Sequence, residues 1–132
     1  PRSDEPTQCP LDVAENTPEE VVKTFVEAYN RQDFATEYNC LGDEMLGGLS
    51  LHDYVERRRQ TYMDEKGHGR VQNVLSVDEE KISLNVAKVV IHREDIMNGV
   101  SKKRQETFSL KKTHKGWKII GCRTKKKYPG DT

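Results

Sequence analysis

Arg58 is the first residue whose placement suggests chemistry. If its segment is helical, Leu51, Val55 and Tyr62 share one face, and Arg58 falls in the middle of that stripe. A guanidinium turned inward requires a carboxylate or an anionic ligand, because an unpaired buried charge is very costly. Glu106 is the expected partner, since it shares strand parity with Phe108 and Leu110. The functional reading is a pocket arginine that grips a ligand carboxylate through two parallel hydrogen bonds. The alternative is an arginine that lays its stem on Tyr62 and carries its head to solvent.

The histidines are His52, His68, His92 and His114. His68 and His114 fall in expected turns, and His52 lies in the first turn of a helix, off its apolar stripe. His92 closes an apolar strand at the parity of Val90, which makes it, with Glu106, a candidate acid or base. A solvated strand-end histidine is the alternative. No two histidines have ligand spacing with a carboxylate, so neither a metal ion nor a cofactor is expected. Tyr29, Tyr54, Tyr62 and Trp117 are aromatics with a polar tip and could line a ligand pocket beside Arg58. Filling the core is the other role open to them. Arg57-Arg58-Arg59 and Lys125-Lys126-Lys127 are basic runs without interleaved aromatics, and solvated faces account for them.

The elements that would position these residues follow from pattern. Residues 1–16, with Pro1, Pro6 and Pro10 among charges, read as a flexible arm. Thr17-Pro18-Glu19-Glu20 is a capping box, and Val21, Val22, Phe25, Val26 and Tyr29 form one helical face ending near Gln32-Asp33. Phe34, Tyr38, Leu41 and Met45 give a second helix, broken or stopped at Gly42 and interrupted at Gly47-Gly48. Ser50 caps a third helix, with Asp53 in the capping-box place, and Gly67-His68-Gly69 ends it. From Arg70 the period becomes that of strands. Asp78-Glu79-Glu80-Lys81 reads as a turn, Ile82–His92 as a strand, and Asp95–Ser101, with Asn98-Gly99, as the next turn. Lys102–Lys112 and Trp117–Lys125 are the last strands, joined by His114-Lys115-Gly116, whose glycine supplies positive φ. Residues 125–132 read as a flexible basic tail. Runs of helices followed by runs of strands give an α+β domain over residues 17–124. Its three helices should pack on a curved, mostly antiparallel four-stranded sheet.

Totals narrow the function classes. The chain has 132 residues, enough for one domain, and 33% of them are charged. Lys plus Arg and Asp plus Glu are 22 each, so no net field points to nucleic acid or to an anionic membrane. No apolar run approaches a membrane span. The chain begins at Pro1 and not at Met, which leads to the expectation of a trimmed N-terminus or a removed leader. Cys9, Cys40 and Cys122 are odd in number and lack CxxC spacing. Three free thiols are expected, with one bridge and a spare thiol as the alternative. Cys40 and Cys122 are expected to be small buried apolar residues.

Two stretches, TPEEVVKTFVEAYNRQDFATEYNCL and ETFSLKKTHKGWKIIGC, resemble the nuclear transport factor two-like superfamily. The first is similar to its opening helix, the aspartate that follows (Asp33) and its second helix. The second is similar to its closing hairpin. The resemblance spans roughly Thr17 to Arg123 and is greatest to a small bacterial branch, often exported. It implies a cone-shaped α+β fold with a pocket, pairing through the open sheet face, and an exported location in preference to the cytoplasm. Catalytic members carry a base aspartate after the second helix, often before proline on a strand. Here Gly42-Asp43-Glu44-Met45-Leu46-Gly47-Gly48 has neither the proline nor the strand period, so Asp43 reads as a turn residue. The expected function is therefore a non-catalytic module binding a small hydrophobic or carboxylate ligand, or a protein, and pairing as a homodimer. The alternatives are a small lyase, isomerase or hydrolase using His92 or Glu106, and a purely structural dimerisation domain.

Overall fold

The structure, a computed structural model, describes residues 16–64 and 70–125. The helices are α1 (Pro18–Asn30), α2 (Phe34–Cys40), α3 (Asp43–Leu46) and α4 (Leu51–Asp64). The strands β1 (Val71–Ser83), β2 (Val86–Met97), β3 (Val100–Thr113) and β4 (Gly116–Lys125) form one antiparallel meander in sequence order. The expected α+β architecture is present. The expected arm before Asn16, the glycine stop at residues 67–69 and the tail after Lys125 lie outside the described residues.

Local chemistry fixes the helix starts. The Thr17 hydroxyl accepts from Glu20 N–H at 3.2 Å, while Thr17 N–H donates to the Glu20 carboxylate at 2.9 Å. Asp33 caps α2 by accepting from Thr36 N–H at 3.1 Å, and Ser50 caps α4 by accepting from Asp53 N–H at 3.1 Å. The expected second helix is broken at Gly42, as its sequence suggests, into two pieces, α2 and α3. Leu41 leaves α2 extended and bridges Ile119, and Gly42 N–H donates to the Ile119 carbonyl at 2.8 Å. This docking on the β4 edge ends the helix before Met45 can continue its face.

The turn expected at residues 78–81 is also absent: β1 runs through it to Ser83, and the chain reverses at Leu84-Asn85. Two bulges in β1, at Val74/Ser76 and Val77/Glu79, disturb the alternation that would have marked the strand as continuous. The turn at Asn98-Gly99 is where the sequence placed it, with both residues at positive φ. The sheet therefore has a double-turn end, at Leu84-Asn85 and His114-Lys115, and a single-turn end, where β1 begins and Asn98-Gly99 lies.

Strand parity places Val89, Ile91, Phe108, Leu110 and Ile119 on the inner face, under Val21, Val22 and Val26 of α1. Phe25 meets Phe108 edge to face at 6.1 Å. Cys40 is fully buried, as expected, but disulfide-bonded and not free, whereas Cys122 is free, as expected, but exposed and not buried.

Asn16 docks on the β3–β4 turn, where its side-chain carbonyl accepts from Trp117 N–H at 3.0 Å. Gly116 sits at φ +96, and a Cβ there would stand 2.8 Å from the Asn16 amide atoms. Gly116→Ala should therefore lower stability by about 1–3 kcal/mol in urea unfolding. An unchanged midpoint would remove this account of the turn.

Candidate functional site

Arg58 is held by a residue that sequence reasoning did not single out. Its Nε donates to Glu37 Oε1 at 2.9 Å and its Nη2 to Glu37 Oε2 at 3.3 Å, while Tyr54 donates its hydroxyl to Glu37 Oε1 at 2.9 Å. The Glu37 side chain is only 1% exposed, against 32% for Arg58. The guanidinium stands 5.5 Å from the Phe34 ring centroid and 5.9 Å from that of Tyr29. Burial opposes the charge of Arg58, but its hydrogen bonds to Glu37 outweigh this and raise its pKa. Burial, then the Glu37 charge, pushes the Tyr54 hydroxyl well above its usual value.

The expected pairing of Arg58 with Glu106 is thus corrected. Helix α4 packs on α2, so Arg58 finds a carboxylate on α2 and not on the sheet. Glu106 does face inward, where Arg93 from the adjacent strand donates to it. Arg93 also donates to Asp95 through Nε at 2.7 Å and Nη2 at 3.1 Å, and Arg104 Nε donates to Asp95 at 3.0 Å. Burial raises the Glu106 pKa, against the lowering influence of Arg93. Although the Cys122 residue is exposed, partial burial of its thiol, and then neighbouring Glu106, pushes that thiol up.

His92 and Glu106 do not meet. Register pairs Ile91 with Glu106 and His92 with Gln105, so the two candidates project from opposite faces of the sheet. They cannot act on one substrate from these positions. Of the four candidate aromatics, three gather around Arg58. Tyr54 shares Glu37 with it, Tyr29 lies beside its guanidinium, and Tyr62 packs edge to face on Tyr29 at 5.8 Å. Trp117 is buried at the start of β4, at the double-turn end, away from this cluster.

Arg70 completes the cluster. The Asn30 side chain clamps the end of α1 to β1, donating to Gln72 O at 2.6 Å and accepting from Gln72 N–H at 2.8 Å. This brings Arg70, just before β1, over Tyr29, its guanidinium 5.2 Å from the ring centroid. Its Nε is buried and has no hydrogen-bond partner, and no carboxylate among the described residues pairs with it. Arg58 and Arg70 both contact one ring, but among the described residues only Arg58 has a counter-charge.

A separate open crevice of about 670 Å³ lies between α3 and the β3–β4 turn, lined in part by Tyr38, Asp43, Lys111, His114, Lys115 and Lys118. Lys111 reaches Glu44 at 2.5 Å and Lys118 donates to the Asn39 carbonyl. Among the described residues no group of three or more His, Cys, Asp or Glu side chains is placed to hold a metal ion, and no helix is long and apolar enough to cross a membrane.

No protein-family model matches the chain, and no curated protein does. Solved structures do. An NTF-2 like protein of unknown function from Shewanella oneidensis MR-1 is similar with a TM-score of 0.61 and 19% identity, over 80% of this chain and 93% of that one. An NTF2-like protein of unknown function from Pseudomonas putida KT2440 gives 0.63 and 9%, over 86% and 84%. A domain of unknown function with a cystatin-like fold from Nostoc punctiforme gives 0.63 and 16%, over 87% and 82%. The chain has the nuclear transport factor two-like, cystatin-like fold.

Proposed function

We propose that this nuclear transport factor two-like fold serves as a non-catalytic binding module for a small carboxylate ligand. Arg70 is the anion contact, and Tyr29 and Tyr62 are the apolar lining. The observation that carries this reading is the Arg70 guanidinium, stacked on Tyr29 with a buried, unpartnered Nε. Arg58 lies beside the same ring, its own charge already met by Glu37. What argues against acid–base chemistry is that Glu106 is engaged by Arg93, and His92 lies on the other side of the sheet.

Benzoate, a carboxylate with an aromatic body, is a suitable probe. It should bind the wild type in calorimetric titration, and Arg70→Met should weaken it about tenfold or more, by loss of a charge-assisted hydrogen bond. Equal affinity in the two proteins, or no binding by the wild type, would count against the proposal. The homodimer through the outer sheet face belongs to the same reading, and sedimentation velocity would detect it.

A further inference from the structure

The double-turn end of the sheet presents a surface that neither the core nor the Arg70 site explains. Leu84, at the tip of the β1–β2 turn, is 91% exposed, and Ile82 and Val86 on either side are each 54% exposed. Leu84 also has φ 55, a left-handed conformation that suits glycine or asparagine and strains a leucine. An apolar residue therefore occupies a strained, convex position where it packs on nothing.

Next to it the Lys112 N–H donates to the Asn85 carbonyl at 2.8 Å, so the β3–β4 turn lies at the same end. The exposed Lys112 and Lys115 carry no ion pair among the described residues. Three of the nearby acids are engaged: Glu79 by Lys81 and Lys88, Glu44 by Lys111, and Glu80 by the Glu19 N–H, while Asp43 lines the crevice beside Lys111. The crevice lined by His114, Lys115 and Lys118 opens beside this turn.

We propose that this end docks on an anionic lipid bilayer. Leu84, with Ile82 and Val86, enters the boundary between headgroups and acyl chains, and Lys112 and Lys115 face the lipid phosphates. A protruding apolar tip flanked by unpaired ammonium groups complements a deformable anionic surface. A protein partner would have to supply a pocket for Leu84.

The test is co-sedimentation of the full chain with phosphatidylcholine vesicles, with and without phosphatidylserine. Wild type should bind the phosphatidylserine vesicles, and added salt should weaken the binding. Leu84→Asn, which suits the positive φ and should keep the fold, should reduce partitioning on the order of tenfold. Lys112→Ala and Lys115→Ala should each reduce it about fivefold. Equal binding to both vesicle types would overturn the proposal. So would unchanged binding by Leu84→Asn, which would assign the affinity to the basic run at 125–127. A dimer in sedimentation velocity that Leu84→Asn abolishes would make the tip a contact between copies of the chain instead.

Discussion

Arg58→Leu should lower the unfolding free energy by about 3–5 kcal/mol, because it strands a buried carboxylate. Glu37 would keep the Tyr54 hydroxyl at 2.9 Å but lose both guanidinium bonds. Removing the other partner is milder. With Glu37→Leu, the one-third-exposed Arg58 can turn its head to water, for a cost of about 1–3 kcal/mol. The double variant should recover much of the loss, since it leaves no charge unpaired. Urea unfolding of all four proteins at neutral pH measures this. An Arg58→Leu protein as stable as wild type at neutral pH would show that the pair holds nothing.

Arg93→Leu should have a comparable effect, about 3–5 kcal/mol, for a different reason. Arg93 is the hub between Asp95 and Glu106, all three side chains being buried. Asp95 would retain Arg104, whereas Glu106 would lose its cation. Glu106 also links stability to pH in the native chain. Burial holds its folded pKa above the ordinary 4.5. Its contribution to stability is therefore full below that value and is lost as pH rises through the folded pKa. Glu106→Gln keeps an acceptor for Arg93 but cannot ionise, so it should flatten that decline in urea midpoints. An identical pH profile in Glu106→Gln would place the titration elsewhere.

How much of this was legible depends on range along the chain. The Thr17 capping box, the Ser50 cap and the Asn98-Gly99 turn are encoded within a few residues, and all three are present. The inward facing of Glu106 was legible too, because parity from Phe108 and Leu110 is local and β3 pairs with β2 without a bulge. Its partner was not legible, because which charges meet depends on how elements stack. Glu37 did leave a signal, three residues after Phe34 and four before Leu41 on the apolar face of α2. A carboxylate on one stripe and a guanidinium on another are mutual candidates. Arg93 and Asp95 show the same alternation as Ile91, but a turn was expected at Asp95. Arg70 could not have been found this way, since its position over Tyr29 is created by the Asn30–Gln72 clamp.

The Glu37–Arg58 pair has one more consequence, for how such a sequence can change. Under single substitutions the two positions are not independent characters. The first loss at either one leaves a charge without its partner, and only the second restores balance, so the effect of each residue reverses with the identity of the other. Drift from this ionic arrangement to an apolar one must cross a less stable intermediate. The crossing is shallower if Glu37 goes first, because Arg58 has access to water and Glu37 does not.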